Sequence, residues 1–431
     1  MKSFFSQPDD EIERRRYWAA RMFVVSWIGY AGFYFCRRNI SWTPLPITRD
    51  SGAHSWMSGL ADLLLVFSAG YMVGQLVGGW AADRFGPRRT LLFGGLLSLV
   101  STALLIVPAP VAVLLLLQAL NGFGQGFGWP SVMKLFSVWI PRSQFATAIA
   151  WWSTSYALGS FLANALATAL STVDAFSIST GSRLAIIVPC GVLLFTTIFF
   201  FVRARDLPAD AGLKLVNSKS ASADFPDGWK PILQSGEIQL LSAIYFFLKL
   251  TRYAILFWLP LYIIETQRTR GNSALTLSSL FELTGFLGAI FASYASDKWF
   301  ASRRYPVGAA MLFLAAFVFL LHPLVSTWGI APTAISVSLI GILIFGVDVL
   351  MSSVAVIEAV PTSHAGRASG YVNAVGSLGQ MVSPVLVAFC SHMFGWNSIF
   401  TLFVACSLIS ACLLALRWNT PAVNSLRLKT A

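Results

Sequence analysis

The sequence is dominated by a succession of apolar runs of 18 or more residues, separated by short polar segments. A run of that length is enough for an α-helix to cross the hydrocarbon core of a bilayer. Charged residues make up only 11% of the 431 residues, and the mean hydropathy is +0.70. A soluble domain carries about 25% charged residues. The pattern therefore predicts an all-α membrane protein and argues against a soluble domain.

The apolar runs fall into two sets of six, which predicts twelve transmembrane helices. The one long polar stretch, 204–236, is rich in Asp, Ser, Lys and Pro and is typical of a cytoplasmic linker. We therefore expect an N-terminal half over 19–203 and a C-terminal half over 237–417, with cytoplasmic tails at 1–18 and 418–431. The predicted spans cover about residues 19–47, 56–82, 89–108, 110–138, 144–170, 183–203, 238–266, 275–297, 306–326, 331–360, 365–392 and 395–417.

The basic residues lie mainly in short loops between the apolar runs, so the net charge of +12 does not indicate a nucleic-acid partner. Loops rich in Lys and Arg stay in the cytoplasm. The side that holds both termini has Arg84, Arg88, Arg89, Arg142, Arg203, Arg205, Lys214, Lys219, Lys230, Lys298, Arg303, Arg304 and Arg367, whereas the other side has only Arg49, Arg183, Arg268 and Arg270. We therefore predict a multi-pass protein of the cell inner (plasma) membrane with both termini cytoplasmic.

The first predicted span carries a charge that a bilayer helix normally excludes. Arg37 follows an uncharged apolar run over 22–36. An Arg at the centre of a bilayer costs roughly 2.5–3.5 kcal/mol even on lenient insertion scales, so such a residue usually faces the protein interior and binds something. At helical spacing, Tyr30, Tyr34 and Arg37 share one face.

The same arrangement recurs in the C-terminal half. Tyr245, Lys249 and Arg252 have the same spacing, and each lies 215 residues after its counterpart in the first span. Two equivalent helices would thus each offer a cation and aromatic hydroxyls to a shared central cavity. This repeat predicts an anion-binding site.

A second repeat connects each arginine to an acidic loop. Asp83 lies 46 residues after Arg37, and Asp297 lies 45 residues after Arg252. Parallel six-helix repeats are typical of the major facilitator arrangement, in which substrate binds near the midplane at the repeat interface. We therefore expect that fold, with two pseudo-symmetric six-helix halves.

The loop after the second span, 79–89, resembles the cytoplasmic loop motif of major facilitators, Gly-x-x-x-Asp-Arg-x-Gly-x-Arg-Arg. An acid in this motif can bind a helix N-terminus and hold one conformational state by charge and dipole. The alternative is a solvated basic loop. We expect gating roles for Asp83, Arg84, Asp297 and Lys134.

The fourth span contains interlocked GxxxG pairs over 122–128. A nucleotide-binding loop would need a preceding strand and a soluble setting, and this run has neither. Small residues at this spacing let membrane helices approach closely. We therefore predict a closely packed and pliable gating helix.

Four acidic residues fall within the predicted spans, namely Asp62, Glu282, Asp348 and Glu358. Each could carry a proton, because ionisable residues inside a membrane are usually functional. Each could equally be the charge partner of a buried lysine or arginine, or lie near the membrane interface. The five cysteines lack CxxC spacing, so no metal site is predicted.

The first span also carries a family resemblance. Its run Tyr-Ala-Gly-Phe-Tyr-Phe over 30–35, followed by Arg-Arg-Asn over 37–39, resembles the first helix of the organophosphate:phosphate antiporters. That family includes glycerol-3-phosphate and hexose-phosphate transporters, a glucose-6-phosphate sensor and eukaryotic sugar-phosphate exchangers. Segments 120–130, 152–155 and 249–262 are similar to its fourth, fifth and seventh helices, and Glu282 lies where its eighth helix also has an acid.

The resemblance implies roles for individual residues. The family's counterparts of Arg37 and Arg252 bind phosphate from the two halves, and those of Tyr30 and Tyr34 line the same cavity. Two positions differ from the bacterial transporters, because Gln75 stands where they have a lysine and Tyr156 where they have a histidine. We expect Lys249 to replace the lost cation. The full set of expected substrate contacts is Arg37, Arg252, Lys249, Tyr30, Tyr34, Gln75, Asn121, Tyr156 and Tyr245.

By this resemblance the chain is a secondary active transporter. It would exchange a phosphorylated organic metabolite, of the sugar phosphate or glycerol phosphate type, for inorganic phosphate by alternating access. Two arginines without counter-charges are unfavourable in a dry cavity, so anion binding should help the halves to close and make exchange obligatory. Two alternatives stay open, a proton-coupled symporter of another organic anion and a membrane sensor of sugar phosphate on the same scaffold. We expect a monomer, and neither an enzyme nor a cofactor.

Overall fold

The structure, a computed structural model, describes residues 10–38, 53–107, 109–171, 178–213, 226–267 and 271–420. All regular elements in these ranges are helical. The α-helices are α1 Glu11–Arg38, α2 Ala53–Phe85, α3 Pro87–Ala103, α4 Val111–Gly126, α5 Gly128–Trp139, α6 Phe145–Trp152, α7 Thr154–Ser171, α8 Ile178–Arg203, α9 Lys230–Gln234, α10 Gly236–Gln267, α11 Gly271–Lys298, α12 Arg304–Val325, α13 Ile330–Val349, α14 Ala355–Glu358, α15 Ala365–Phe394 and α16 Ser398–Ala415. A π-helical turn, Leu350–Val354, joins α13 to α14.

Within the described ranges, ten helical stretches are long and apolar enough to cross a membrane. The predicted first and fifth spans are not among these stretches. Helix α1 carries Arg21 near its start and Arg37 at its end, and the fifth span is divided at Ser153 into α6 and α7. The all-helical membrane fold is confirmed, whereas the count of twelve stays a prediction.

The first and fourth predicted spans differ from the structure in their boundaries. Helix α1 begins at Glu11, inside the predicted tail, and the predicted end of the first span over 39–47 lies outside the described residues. The predicted fourth span is two helices, because α4 ends at Gly126 and α5 begins at Gly128. At the break, the Phe127 N–H donates to the Gly124 carbonyl oxygen at 3.3 Å, which is the tighter hydrogen bond of a 3₁₀ turn.

The chain divides into two compact units. Unit 1 comprises residues 1–141, 158–231 and 360–371, and unit 2 comprises 142–157, 232–359 and 372–431. Most of each unit comes from one end of the chain, but 142–157 and 360–371 each belong to the unit formed mainly by the other end. The division into halves at 19–203 and 237–417, with a linker and two tails, stays a prediction.

The two units pair their helices in the same way. In unit 1, α1 packs against α8, α2 against α4, and α3 against both α4 and α8. In unit 2, α10 packs against α16, α11 against α13, and α12 against both α13 and α16. Each of these helices of unit 1 thus has a counterpart in unit 2 that makes the equivalent contacts. This repeat places α1 and α10, which carry Arg37 and Arg252, at equivalent positions of their own units.

Glycines let α2 and α4 pack backbone to backbone. A Cβ added at Gly122 would lie 2.1 Å from the Phe67 carbonyl oxygen, and one added at Gly74 would lie 2.1 Å from the Phe123 carbonyl oxygen. Both separations are far below a van der Waals contact, so no side chain fits without moving a helix. The glycines of the fourth span therefore serve close packing, as their spacing predicts.

We expect Gly122→Ala to destabilise unit 1. Its methyl group would force α2 and α4 apart, and overpacking of this kind typically costs about 1–3 kcal/mol. Gly191→Ala on α8 is the matched control, because nothing lies within 4 Å of an added Cβ there. Thermal unfolding in detergent should show a lower midpoint for Gly122→Ala alone. Equal midpoints for the two variants would contradict this account of the packing.

Candidate functional site

Arg37 lies in the last turn of α1 and is held by a side chain from α4. Its Nε–H donates to Gln125 Oε1 at 3.1 Å. The same amide, through Nε2, donates to the Phe33 carbonyl oxygen at 2.9 Å and to Ser98 Oγ at 3.1 Å. Because Gln125 is fully buried and bonded on both sides, it fixes the direction of the guanidinium.

Asn121, a predicted substrate contact, lies one turn before Gln125 on α4 and is also fully buried. Its Nδ2 donates to the Cys36 carbonyl oxygen at 3.3 Å, and its Oδ1 accepts from Ser98 Oγ at 2.6 Å. The amide therefore connects α1, α3 and α4 in the structure. A direct contact with substrate stays a prediction for this residue.

Aromatic rings surround the Arg37 guanidinium. Its Cζ lies 4.6 Å from the ring centroid of Tyr34 and 5.0 Å from that of Tyr71. Tyr30 packs beside Tyr34, and its ring centroid lies 6.0 Å from that of Tyr34 and 6.1 Å from that of Trp129. Cations are attracted to the faces of aromatic rings, so these contacts stabilise a charge that lies away from water.

Gln75 lies one turn after Tyr71 on α2 and is fully buried. Neither its Nε2 nor its Oε1 has a hydrogen-bond partner. An unsatisfied buried amide is costly, and native proteins contain few of them. Gln75 therefore has an unused donor and an unused acceptor on the helix that also carries Tyr71.

In unit 2, Arg252 on α10 is paired with a carboxylate. Its Nη1 lies 2.7 Å from Asp348 Oδ2 on α13, and the two side chains are only 16% and 5% exposed. The guanidinium also lies over the Phe345 ring, with Cζ 4.1 Å from the centroid. The sequence left Asp348 open as a proton carrier or as the charge partner of a buried cation, and in the structure it pairs with Arg252. The expectation of an arginine without a counter-charge therefore does not hold for Arg252.

The other candidate residues of unit 2 lie around this pair. Lys249 is 3% exposed, and its Nζ donates to Ser377 Oγ at 3.1 Å and lies 5.1 Å from the Tyr245 ring centroid. Tyr156, from segment 142–157, has its ring centroid 5.9 Å from Cζ of Arg252. The structure thus groups the predicted residues Arg252, Lys249, Tyr245, Tyr156 and Asp348 in one unit.

The loop carboxylate Asp83 binds the start of a helix, as its motif predicts. Its Oδ1 and Oδ2 accept from the backbone N–H groups of Gly366 and Arg367, at 3.0 and 2.9 Å, in the first turn of α15. Lys134 Nζ lies 3.0 Å from Asp83 Oδ1 and donates to the Thr362 carbonyl oxygen at 2.6 Å. A negative charge at this position satisfies free N–H groups and interacts favourably with the helix dipole. All five residues belong to unit 1.

Asp297, the counterpart of Asp83, has different partners. Arg304 is 5% exposed, and its Nη1 lies 2.5 Å from Asp297 Oδ1. The same guanidinium binds Glu358 through two contacts, Nη2 to Oε1 at 3.0 Å and Nε to Oε2 at 3.3 Å. Asp297 also accepts from Ser302 Oγ at 3.2 Å. Asp297 therefore pairs with Arg304, the first residue of the next helix, α12, whereas Asp83 accepts from backbone N–H groups.

Of the other predicted residues, Arg84 and Asp62 are exposed, and Glu282 is half-buried on α11. Within the described ranges, no group of three or more His, Cys, Asp or Glu side chains could hold a metal ion. The gating and proton-carrying roles stay predictions for all of the residues named for them.

Two carboxylates outside the spans have shifted pKa values. The Arg367 guanidinium lowers the pKa of Asp227, first through a hydrogen bond and then through its charge. Burial raises the pKa of Asp206, while the Arg88 backbone N–H, which donates to it at 2.9 Å, acts in the opposite direction. Asp227 therefore stays ionised over a wide pH range and ties the residues before α9 to the start of α15.

Sequence reasoning missed Gln125, Tyr71 and Arg304. Gln125 lies one turn after Asn121, and Tyr71 lies one turn before Gln75, so helical spacing from predicted residues could have found both. Arg304 was assigned to a cytoplasmic loop, and its sequence position gave no sign that it would be buried between two carboxylates.

We expect Asp83→Asn to loosen the first turn of α15. The variant loses the charge that pairs with Lys134 and one of its two acceptor oxygens. Hydrogen bonds to charged groups are worth about 1.5–3 kcal/mol, so the Gly366 and Arg367 amides should exchange with deuterium roughly tenfold faster. Arg84→Gln is the control, because Arg84 is adjacent but exposed. Unchanged protection of the 360–371 segment in Asp83→Asn would show that the carboxylate does not hold this turn.

Comparisons with known proteins found relatives among transporters of phosphorylated compounds and a membrane sensor. The glycerol-3-phosphate transporter of Bacillus subtilis is 25% identical and covers 93% of this chain and 92% of its own length. The membrane sensor protein UhpC of Salmonella typhimurium is 29% identical over 93% of this chain and 92% of its own. The glucose-6-phosphate exchanger SLC37A2 of Danio rerio is 28% identical over 81% of this chain and 77% of its own. These relatives are the ones expected for a member of the organophosphate:phosphate antiporter family.

The fold has close counterparts among solved structures. The proton:xylose symporter XylE superposes with a TM-score of 0.76 over 96% of this chain and 99% of that one, at 14% sequence identity. The sequence profile of the Major Facilitator Superfamily matches residues 23–384. Fold and relatives are those of membrane transporters, not of enzymes. Because this match covers most of its length, the chain belongs to the Major Facilitator Superfamily.

Proposed function

We propose that this chain exchanges a phosphorylated organic metabolite for inorganic phosphate by alternating access. The organic partner is of the sugar phosphate or glycerol phosphate type, which agrees with the names of two of the relatives. The observation that carries the proposal is the repeated arginine. Arg37 and Arg252 lie on equivalent helices, α1 and α10, largely out of water, and each is flanked by aromatic rings.

The chemistry of these side chains suits a phosphate group. A guanidinium presents several N–H donors in a planar fork and binds phosphate oxygens through two parallel hydrogen bonds. Lys249 adds a third positive charge, three residues before Arg252 on the same helix. Arg37, Arg252 and Lys249 would hold the phosphate, with Tyr30, Tyr34, Gln75, Asn121, Tyr156 and Tyr245 as contacts for the rest of the substrate.

The buried amide of Gln75 supports a polar ligand in unit 1. Both of its polar atoms lack a partner, and it lies one turn from Tyr71, which packs on Arg37. An ester hydroxyl or a phosphate oxygen would satisfy the donor or the acceptor. A purely structural glutamine at this position would be less favourable than a methionine of similar size.

The topology follows from the loop charges. We propose that the chain lies in the cell inner membrane with both termini in the cytoplasm, because one set of loops holds most of the Lys and Arg residues. The Asp83 contact with α15 would then lie on the cytoplasmic side. Its rupture and re-formation would accompany opening and closing of that side.

Counterflow in proteoliposomes tests the proposed exchange. Vesicles are loaded with unlabelled phosphate, and uptake of labelled phosphate is measured against protein-free vesicles. A panel of phosphate esters, including glycerol-3-phosphate and glucose-6-phosphate, then competes from outside. We expect rapid uptake that phosphate esters inhibit and that a protonophore leaves unchanged. Uptake that collapses with the protonophore and ignores internal phosphate would favour a proton-coupled symporter.

We expect Arg37→Lys and Arg252→Lys each to reduce phosphate exchange by at least about a hundredfold, because a point charge does not reproduce the planar fork. Arg16→Lys, an exposed position on α1, is the matched control and should exchange normally. The measurement is the initial rate of phosphate counterflow for each variant, compared with that of the wild type. An Arg252→Lys variant that keeps most of the wild-type rate would exclude two-point binding of phosphate by this residue.

We expect Gln75→Met to leave thermal stability equal or higher and to weaken ester binding about threefold to tenfold, since one hydrogen bond is lost. Gln125→Met provides the contrast. It removes the bonds to Arg37 and to the Phe33 carbonyl, so it should lower the melting temperature. If Gln75→Met lowers stability and leaves ester affinity unchanged, Gln75 has a structural role only.

A membrane sensor is the second candidate function, because UhpC, a relative named as a membrane sensor, is 29% identical over 93% of this chain. A sensor would bind the same ligands through the same arginines. It would show submillimolar ester binding together with counterflow no faster than protein-free vesicles. The exchange assay therefore distinguishes the two functions without a further variant.

A further inference from the structure

The ion pair between Arg252 and Asp348 differs from the ion pairs that Arg304 forms in the same unit. Arg304 satisfies both oxygens of Glu358 and also binds Asp297. Arg252 meets Asp348 through one contact, Nη1 to Oδ2 at 2.7 Å, and Asp348 Oδ1 is buried without a hydrogen-bond partner. The first arrangement is fully satisfied, whereas the second leaves half of a buried carboxylate unused.

A buried carboxylate in which only one oxygen accepts a hydrogen bond is not a stable permanent partner for an arginine. Buried charges are stable when the pair has good geometry and when further hydrogen bonds satisfy the remaining lone pairs. Asp348 does not meet the second condition, because its Oδ1 accepts no hydrogen bond. A phosphate group has more acceptor oxygens and can engage the guanidinium fork at two points. Phosphate can therefore replace Asp348 at Arg252.

The local helix geometry allows Asp348 to move. The π-helical turn Leu350–Val354 begins two residues after Asp348, at the end of α13. Such turns interrupt the regular hydrogen-bond pattern of an α-helix and are frequent at functional sites. Release of Asp348 from Arg252 thus takes place beside a segment that already departs from the regular helix.

We propose that Asp348 is the internal counter-anion of Arg252, displaced by phosphate on binding and restored when phosphate leaves. This inference rests on the proposed phosphate site. Lys249 and Arg252 contribute two positive charges, and Asp348 cancels one of them while the site is empty. Because Arg252 always has an anion beside it, the empty protein can complete its conformational cycle. The chain therefore releases net phosphate in addition to exchanging it.

The first test uses the wild-type protein. Proteoliposomes are loaded with labelled phosphate and potassium, and valinomycin removes the membrane potential that net anion efflux would create. Efflux is measured into buffer with phosphate and into buffer without it. We expect efflux into phosphate-free buffer well above that of protein-free vesicles. Exchange without any net efflux would overturn the inference but leave the proposed function intact, whereas absence of exchange would overturn the proposed function.

The second test uses Asp348→Asn. Removal of the Asp348 charge should strengthen phosphate binding about tenfold. A change of this size is typical when two anions compete for one binding group, here the Arg252 guanidinium. Exchange should continue while net efflux falls to the background. Asp348→Glu, which keeps the charge, should retain net efflux. Glu265→Gln, which removes an exposed carboxylate from α10, is the control and should match the wild type in both assays.

A structural role for Asp348 predicts the opposite result. If the carboxylate only orients Arg252, Asp348→Asn should bind phosphate more weakly and lose exchange and net efflux together. That outcome would overturn the inference. Should Asp348→Asn fail to fold, the wild-type efflux ratio and the Asp348→Glu variant still decide between the two roles.

Discussion

The structure depends on how charged side chains are accommodated within helices that cross a membrane. A buried guanidinium is tolerable only where anions, amides or aromatic faces replace its water. Three arginines of the described residues, all at least partly buried, have different sets of partners. Arg37 has the Gln125 amide and two tyrosine rings, Arg252 has Asp348 and Phe345, and Arg304 has Asp297 and Glu358. These differences in partners support the proposal that Arg304 is structural and that Arg37 and Arg252 bind a ligand.

Arg304 represents the structural case, because both oxygens of Glu358 and one of Asp297 bind it. Arg37 is held by the Gln125 amide and by the faces of two tyrosine rings. Asp348 neutralises Arg252 but uses one oxygen only. We propose that phosphate competes with these partners at the two arginines.

Much of the fold and part of the site could be predicted from the sequence. The apolar runs, the Tyr-x-x-x-Lys/Tyr-x-x-Arg spacing and the Asp83 motif are local patterns, and each one acts within a single helix or loop. Which carboxylate pairs with which arginine depends instead on contacts between distant parts of the chain. Nothing in the sequence distinguished Asp348 from Glu358 as the partner of Arg252, since the chain between them and the arginine is too long for spacing to decide. The break at Phe127 was missed for another reason, because the glycines around it favour both a bend and close packing.

The unit to which segments 142–157 and 360–371 belong also could not be predicted from the sequence. Their sequences continue the fifth and eleventh predicted spans, yet each belongs to the unit formed mainly by the other end of the chain. For 360–371 the cause is visible, because Asp83 and Lys134 bind its backbone. The motif predicted that Asp83 would meet a helix N-terminus. It could not predict which helix, because backbone N–H groups are the same at every helix start.

The central proposal is that phosphate and the phosphate ester compete for binding that depends on Arg37 and Arg252. Equilibrium binding of labelled phosphate to the purified protein, with an unlabelled ester as competitor, tests it most directly. The account predicts one phosphate bound per chain and complete, purely competitive displacement by the ester. Two phosphates bound per chain, or an ester that binds while phosphate stays bound, would contradict it.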